Sequence, residues 1–341
     1  MTHRVRVDLA DRSYDVVVGS GAVRELASLL PRDVRRVALV TQDGLPVDVS
    51  EHLPKSVAVS RHMVGRGEEF KSLATIERLC DEFAVAGITR NDLVIGVGGG
   101  MVTDLAGFAA ASWHRGVRVV HVATSLVGMI DAAIGGKTGV NIAAGKNLVG
   151  AFWQPSGVVC DTNHLASLSE REQRCGRGEM AKYHFLTGDD LLALDLDARV
   201  ARCVAIKADI VGHDERESGR RAVLNYGHTL GHALEIVTDF RLAHGEAVAV
   251  GMMFAAHLAR ALGRIDDARV REHQRIIVDG YGLSVAVPPG ATRDRLIELM
   301  ARDKKAIDGL TFVLDGANGI ETVRSVPQAA IAKAFDALSV P

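Results

Sequence analysis

Ile95-Gly-Val-Gly-Gly-Gly-Met-Val-Thr-Asp104 is the stretch on which the reading of the fold turns. A short apolar run over 92–97 ends in three consecutive glycines, and a helical pattern follows over 104–112. Glycines between a strand and a helix let the backbone approach a pyrophosphate, while the helix N-terminus offers N–H groups and partial positive charge. The spacing is not GxGxxG, so by itself the stretch reads equally as a nucleotide site or as a tight packing turn. Working outward, 36–41, 56–64 and 117–122 have the texture of strands. Residues 71–87 have helical periodicity, with Leu73, Ile76, Leu79 and Phe83 on one face and Gly87 as the stop. Segments 5–9 and 14–18 flank Ala10-Asp-Arg-Ser13 as a hairpin. This alternation predicts an α/β fold with a doubly wound, mostly parallel sheet.

The texture changes near residue 165. Amphipathic segments follow one another over 169–186, 189–213, 221–237, 244–262, 266–281, 292–303 and 328–338, and strand signals such as 311–314 are few. The expectation is an α/β domain over 1–165 and an all-helical domain over 166–341. The cleft between two such domains is the default place for a ligand.

Composition narrows the function classes. The 341 residues carry 40 Lys+Arg against 42 Asp+Glu, a net charge of −2. That balance argues against a generally basic nucleic-acid binder and against an acidic disordered tail. Apolar runs such as 247–256 fall far short of the roughly 20 residues of a membrane span. The N-terminus alternates like a strand and lacks the apolar core of a signal peptide. Cys80, Cys160, Cys175 and Cys203 are far apart and read as reduced thiols. A cytoplasmic protein with no membrane or nucleic-acid partner is expected. Of the 40 basic residues only nine are Lys, at 55, 71, 137, 146, 182, 207, 304, 305 and 333. In an arginine-rich chain a retained lysine suits a place that needs a compact point charge.

Three further stretches carry chemistry. Asp131-Ala-Ala-Ile-Gly-Gly-Lys-Thr-Gly-Val-Asn141, followed by Gly145-Lys-Asn147, resembles the end of a phosphate loop. The first glycine of GxxxxGK[ST] would fall at 131, where Asp stands, so the Walker reading fails and an anion cradle with Lys137 and Lys146 remains. In 221–235, Arg221, Asn225, His228, His232 and Glu235 are spaced 4, 3, 4, 3 and would share one face of a continuous helix. Two histidines at i and i+4 can bind one metal, although the Glu of HExxH is not at 229. His244 begins the next helical segment and offers a third imidazole, and Glu179 with Lys182 offers a carboxylate and a cation. Lys137, Lys146, Lys182, Lys207, Arg221, Lys304 and Lys305 outnumber any plausible local acids, which suits a substrate bearing carboxylate and phosphate. With a dinucleotide and a metal, the chemistry suggested is redox at a carbinol.

The chain closely resembles the 3-dehydroquinate synthases, within the sugar-phosphate cyclase superfamily. The likeness runs over nearly its whole length. It is densest in Gly98-Gly-Gly, Asp104-Leu-Ala-Gly-Phe, 131–141, 145–152, Glu179-Met-Ala-Lys182, Asp214-Glu-Arg-Glu217, 224–232, His244-Gly-Glu-Ala-Val and Arg302-Asp-Lys-Lys305. The resemblance implies a carbon–oxygen lyase of the shikimate pathway acting on 3-deoxy-D-arabino-heptulosonate 7-phosphate. It further implies bound NAD, zinc or cobalt, and a homodimer. By motif, Glu179, His228 and His244 resemble the metal ligands and His232 the acid/base. Asp131, Lys137, Asn147, Lys182, Lys207, Arg221, Asn225 and Lys304 resemble substrate contacts, and Arg115 the arginine that reaches a neighbouring subunit's site. Glu68, Lys71, Gly99, Gly100, Asp104, Thr124, Ser125, Lys137, Lys146 and Ser167 resemble cofactor contacts. Gln42, Ala123, Gly178 and His184 depart from the family's usual residues.

Three rival readings differ in what they require. A sister cyclase making a valiolone or a deoxy-inosose would alter the residues around the ring and carboxylate, whereas one making an amino-dehydroquinate would have nearly the same site. A metal-dependent polyol dehydrogenase would release NADH and has no use for so many cations. A non-catalytic paralogue would be expected to lack a metal ligand or His232.

Overall fold

The computed structural model describes residues 1–303 and 310–339. In chain order it contains β1 (His3–Val7), β2 (Tyr14–Val18), β3 (Arg36–Gln42), β4 (Ala58–Val64), α1 (Leu73–Val85), β5 (Leu93–Gly98), α2 (Gly100–Ser112), β6 (Arg118–Ala123), β7 (Lys137–Ile142), β8 (Gly145–Phe152) and β9 (Gly157–Cys160). There follow α3 (Glu170–Thr187), α4 (Leu196–His213), α5 (His228–Val237), α6 (His244–Ala261), α7 (Asp267–Arg275), α8 (Arg293–Asp303), β10 (Phe312–Leu314), β11 (Glu321–Val323) and α9 (Gln328–Ala337).

The chain divides into two compact units. The first comprises Met1–Leu168 and Leu194–Arg216. Its seven-stranded sheet has the order β1-β2-β9-β6-β5-β3-β4, parallel throughout except for the β1–β2 pair. Alternation along β3 and β5 explains the two cores. Ala38, Val40 and Val94 face α1 and α2, while Val37, Leu39, Leu93, Ile95 and Val97 face Ala22, Leu26, Leu29, Val49 and Leu53. Both faces are buried, as a parallel sheet requires. Ser72 caps α1 by accepting from the Thr75 N–H at 3.3 Å. Residues β7 and β8 form a separate hairpin that the Gly- and Lys-rich sequence did not announce.

The second unit comprises Ser169–Ala193 and Glu217–Pro341. The buried α6 contacts α3, α5, α7 and α9. Two differences from the sequence expectation appear. Leu194–Arg216, which includes α4, groups with the first unit instead of the helical one, through contacts of α4 with β1. The second unit also holds the short antiparallel pair β10–β11, so it is not all-helical.

Candidate active site

The expected site residues fall into two groups, one in each unit. In the first unit, α2 begins at Gly100, directly after β5, four residues earlier than the sequence pattern implied. The turn after β6 lies beside this helix start: Ser125 Oγ accepts from the Gly128 N–H at 3.1 Å, and a Cβ on Gly99 would lie 3.1 Å from the same oxygen. Thr124 donates its N–H to Gly98 O at 2.9 Å. Gly99, Gly100, Thr124 and Ser125 are thereby brought together around one helix N-terminus, a geometry suited to anions.

A second cluster gathers around Lys71. Lys71 is 5 % exposed, and its Nζ lies 2.5 Å from both Asp104 Oδ2 and Asn147 Oδ1. Asn141 Nδ2 donates to Glu68 Oε2 at 2.8 Å, and Asn141 Oδ1 accepts from the Asn147 N–H at 3.0 Å. Asn147, with φ of 56°, is thus tied to the expected cofactor residues Glu68, Lys71 and Asp104 by way of the β7–β8 hairpin. Burial pushes the Asp104 carboxyl up to about 6, against the pull of Lys71. Asn141 was not singled out from the sequence, although it ends the quoted Gly-Gly-Lys-Thr-Gly-Val-Asn motif.

Asp131 sits in a single π-helical turn, Gly128–Ala132. Lys207 on α4, 5 % exposed, reaches its carbonyl oxygen at 2.6 Å and also bonds its carboxylate. Lys137, Lys146 and Ser167 are exposed, and Ser167 Oγ donates to His164 O at 2.8 Å. Arg115 is exposed and follows His114, both with positive φ (62° and 50°), in the turn after α2.

In the second unit a buried polar centre forms where α3, α5 and α6 meet. Glu179 on α3 is fully buried, and its Oε1 lies 2.9 Å from His244 Nε2 and 3.3 Å from His228 Nε2. Its Oε2 accepts from Lys182 Nζ at 2.5 Å. The outer ring nitrogens are engaged as well: His228 Nδ1 with Tyr226 O at 3.1 Å, and His244 Nδ1 with Glu235 Oε2 at 3.0 Å. Both partners are acceptors, so both Nδ1 atoms donate outward, and the two Nε2 atoms that face Glu179 Oε1 are the ones a bound ion would take. Three electron-rich atoms converging on one point fit a divalent cation. Two atoms on a tetrahedral zinc with bonds of about 2.0 Å stand roughly 3.3 Å apart, near the spacing found here. Burial disfavours the Glu179 charge, but Lys182 and the two imidazoles outweigh it and hold the carboxyl well below its usual range. The ring of His232, one turn along α5 from His228, lies edge-on to it, centroids 5.4 Å apart.

Some expectations need correction. Arg221, Asn225, His228, His232 and Glu235 do not share one helix face. Arg220–Asn225 is a 3₁₀ segment, and Gly227 (φ 80°) breaks the chain before α5 starts at His228. A Cβ on Gly227 would meet Val248 O at 2.8 Å, so the break is a close approach to α6 that only glycine permits. Arg221 is buried, and Asn225 Nδ2 donates to Glu217 Oε1 at 2.9 Å. Nor do the buried lysines stand apart from acids, since Lys71, Lys182 and Lys207 each meet a carboxylate. His184 packs edge-on to Phe185 and Tyr281 within the helical core. Lys304 lies outside the described residues.

A doubly wound sheet with a glycine-rich strand–helix turn, together with a buried Glu/His/His centre in a helical unit, defines a class of nucleotide- and metal-using α/β enzymes. Models of the 3-dehydroquinate synthase N-terminal and C-terminal regions match residues 61–175 and 157–306. The chain belongs to the 3-dehydroquinate synthase family. It is 48 % identical over 337 residues to a protein of Amycolatopsis mediterranei (strain S699) named "Putative aminodehydroquinate synthase", covering 98 % of this chain and 95 % of that one. It is 42 % identical over 357 residues to the 3-dehydroquinate synthase of Thermobifida fusca (strain YX), covering 98 % and 96 %. Its structure is similar to that of 2-deoxy-scyllo-inosose synthase complexed with carbaglucose-6-phosphate, NAD+ and Co2+, with a TM-score of 0.88, 25 % identity and coverage of 98 % and 99 %. Among the described residues no helix is long and apolar enough to cross a membrane.

Proposed function

We propose that this chain is a 3-dehydroquinate synthase, converting 3-deoxy-D-arabino-heptulosonate 7-phosphate to 3-dehydroquinate and inorganic phosphate. The observation that carries the reading is the convergence of Glu179, His228 and His244 on one point with His232 a turn away. In this proposal the first unit carries NAD and the second the metal centre. Glu68, Lys71, Gly99, Gly100, Asp104, Thr124, Ser125, Lys137, Lys146 and Ser167 hold NAD, and Glu179, His228 and His244 hold zinc or cobalt. Reversible hydride transfer at the substrate's C5 carbinol is the chemistry that bound NAD would supply, and polarisation of the carbinol oxygen is what the metal would supply.

The chain's own side chains do the rest. His232 accepts and returns the proton of the substrate hydroxyl. Lys137, Lys207, Arg221, Asn225 and Lys304 bind the carboxylate, the hydroxyls and the phosphate, which leaves by elimination. Lys182 neutralises Glu179 and stands beside the substrate. Asp131 and Asn147 orient Lys207 and Lys71. Arg115, exposed in its strained turn, reaches the neighbouring subunit's site in a homodimer. The protein acts in the cytoplasm, in keeping with four free cysteines.

A second reading has a specific observation behind it. The 48 % identity to the Amycolatopsis relative favours the amino analogue of the heptulosonate phosphate as substrate. The deciding experiment offers both substrates side by side and follows phosphate release, ring product and absorbance of NADH. The proposal expects phosphate and 3-dehydroquinate in equal amounts with no net NADH. Preference for the amino substrate establishes the second reading, and stoichiometric NADH overturns both in favour of a net dehydrogenase.

A further inference from the structure

His244 meets a carboxylate at each ring nitrogen. Nε2 lies 2.9 Å from Glu179 Oε1, and Nδ1 lies 3.0 Å from Glu235 Oε2. The two contacts are chemically different. On the Glu179 side a second imidazole, His228, points its Nε2 at the same oxygen from 3.3 Å, and its own proton is committed to Tyr226 O. That is the side on which electron-rich atoms converge. On the Glu235 side an ionised carboxylate has no proton to give, so the hydrogen of that contact comes from His244.

Glu235 stands on α5, seven residues after His228 and three after His232, which puts all three on one face of a single helix. One short helix therefore carries a metal-ligand candidate, the proton-transfer candidate and the carboxylate that grips the ligand from α6. His228 is oriented by a backbone carbonyl, which no substitution removes. His244 is oriented by a side chain, which a substitution does remove.

We infer that Glu235 is a positioning residue for the metal centre, holding the His244 ring in the tautomer and direction that present Nε2 to the ion. The inference rests on the proposed reading of Glu179, His228 and His244 as ligands. A carboxylate behind a ligating imidazole fixes the ring and increases its donor strength. Glu235 has one competing use: its oxygen, with His232 and His244, also forms a set of ligand atoms within 4.8 Å of one another, enough for a second ion. The two uses exclude each other, because a second ion on this side needs the Nδ1 that Glu235 keeps protonated.

The test titrates zinc alone into the full-length, metal-stripped protein without substrate, against a competing chelator, for the native chain and for Glu235→Ala and Glu235→Gln. The native chain is expected to bind one ion. Glu235→Ala binds it about 10–100-fold more weakly, and Glu235→Gln, which keeps an oxygen acceptor of the same shape but no charge, falls between. NAD affinity and the circular dichroism spectrum stay unchanged in both. Affinity in Glu235→Ala within twofold of the native value overturns the inference. So does a native stoichiometry of two ions that falls to one in either variant, since Glu235 is then a ligand. An equal loss in both variants with a lowered melting temperature also overturns it, as damage to the fold. A native chain that binds no zinc refutes the metal reading itself, a result distinct from the other three.

Discussion

A Cβ built on Gly178 lies 2.1 Å from the carbonyl oxygen of Gly245. The reverse side of the contact is as close, with a Cβ on Gly245 lying 2.0 Å from the carbonyl oxygen of Cys175. Backbone meets backbone here, so no flexible side chain can swing away. The helices α3 and α6 touch at this distance because both residues are glycine. The next residue on α3 is Glu179, and the one before Gly245 on α6 is His244, so the same contact sets the separation of two candidate metal ligands. The family resemblance marks position 178 as one where alanine is common, yet in this chain alanine has no room.

Gly178→Ala is therefore expected to cost about 1–3 kcal/mol of stability, as overpacking of a tight contact does. It is also expected to weaken zinc binding by pushing Glu179 from His244. Denaturant unfolding and a zinc titration on the same sample check both. Native values for both would mean that α3 and α6 accommodate a methyl group without moving the ligands.

The two histidines one turn apart on α5 are expected to separate by role. His228 has its Nε2 at 3.3 Å from the buried Glu179 carboxylate, and His228→Ala should abolish metal binding. His232→Ala should keep both zinc and NAD but lose most turnover, on the order of the 10²–10⁴-fold that a positioned acid–base group contributes. Metal analysis and NAD binding alongside kcat distinguish the two. Loss of metal in His232→Ala would show that the roles are divided wrongly.

The parts of this molecule most legible in sequence were those where one periodicity governs a whole element. The alternation of Val37, Leu39 with Ala38, Val40 maps directly onto the two buried faces of β3. Glu179, His228 and His244 stood out in the sequence as candidate donors, but choosing His228 over His232 rested on family motifs alone, because the three come from three helices and no local spacing joins them. The stripe from Arg221 to Glu235 misled, since a helical repeat read off a sequence assumes an unbroken helix, and Gly227 in left-handed conformation ends that assumption. The β7–β8 hairpin escaped notice because its glycines and lysines read as a loop. Its job of carrying Asn141 and Asn147 to Lys71 depends on a fold-level pairing.

Asp104 provides a pH test. Its carboxyl is raised from an ordinary 3.8 to about 6 by burial. Between those values the folded chain holds a proton that the unfolded chain has released, so this group's contribution to stability is present at low pH and is lost as pH rises through the window. The full loss is about 3 kcal/mol at 1.36 kcal/mol per pH unit. Asp104→Asn removes the titration and should gain on the native chain by up to that amount between pH 4 and pH 6.5, whatever constant offset follows from leaving Lys71 with an amide. Melting temperatures of both proteins over that range supply the test. A difference that stays flat or moves the other way would place the Asp104 carboxyl at its ordinary value.

Lys207 and Asp131 test whether the buried lysines serve charge balance or substrate. Lys207 comes from α4, the helix that groups with the sheet unit, and bonds both the carbonyl and the carboxylate of Asp131 in the π-helical turn. Removing one partner of such a pair leaves the other charge poorly solvated, at a cost of about 3–5 kcal/mol for a buried pair and less here because Asp131 is partly exposed. Removing both relieves that penalty. If the pair is structural alone, Lys207→Met with Asp131→Leu should recover most of the stability and the turnover lost in Lys207→Met. If Lys207 also binds the anionic substrate, stability returns in the double variant while kcat/KM stays depressed and NAD and zinc affinities remain native. The second pattern is the expected one. The double-mutant cycle separates the terms because stability and kcat/KM are read on the same four proteins.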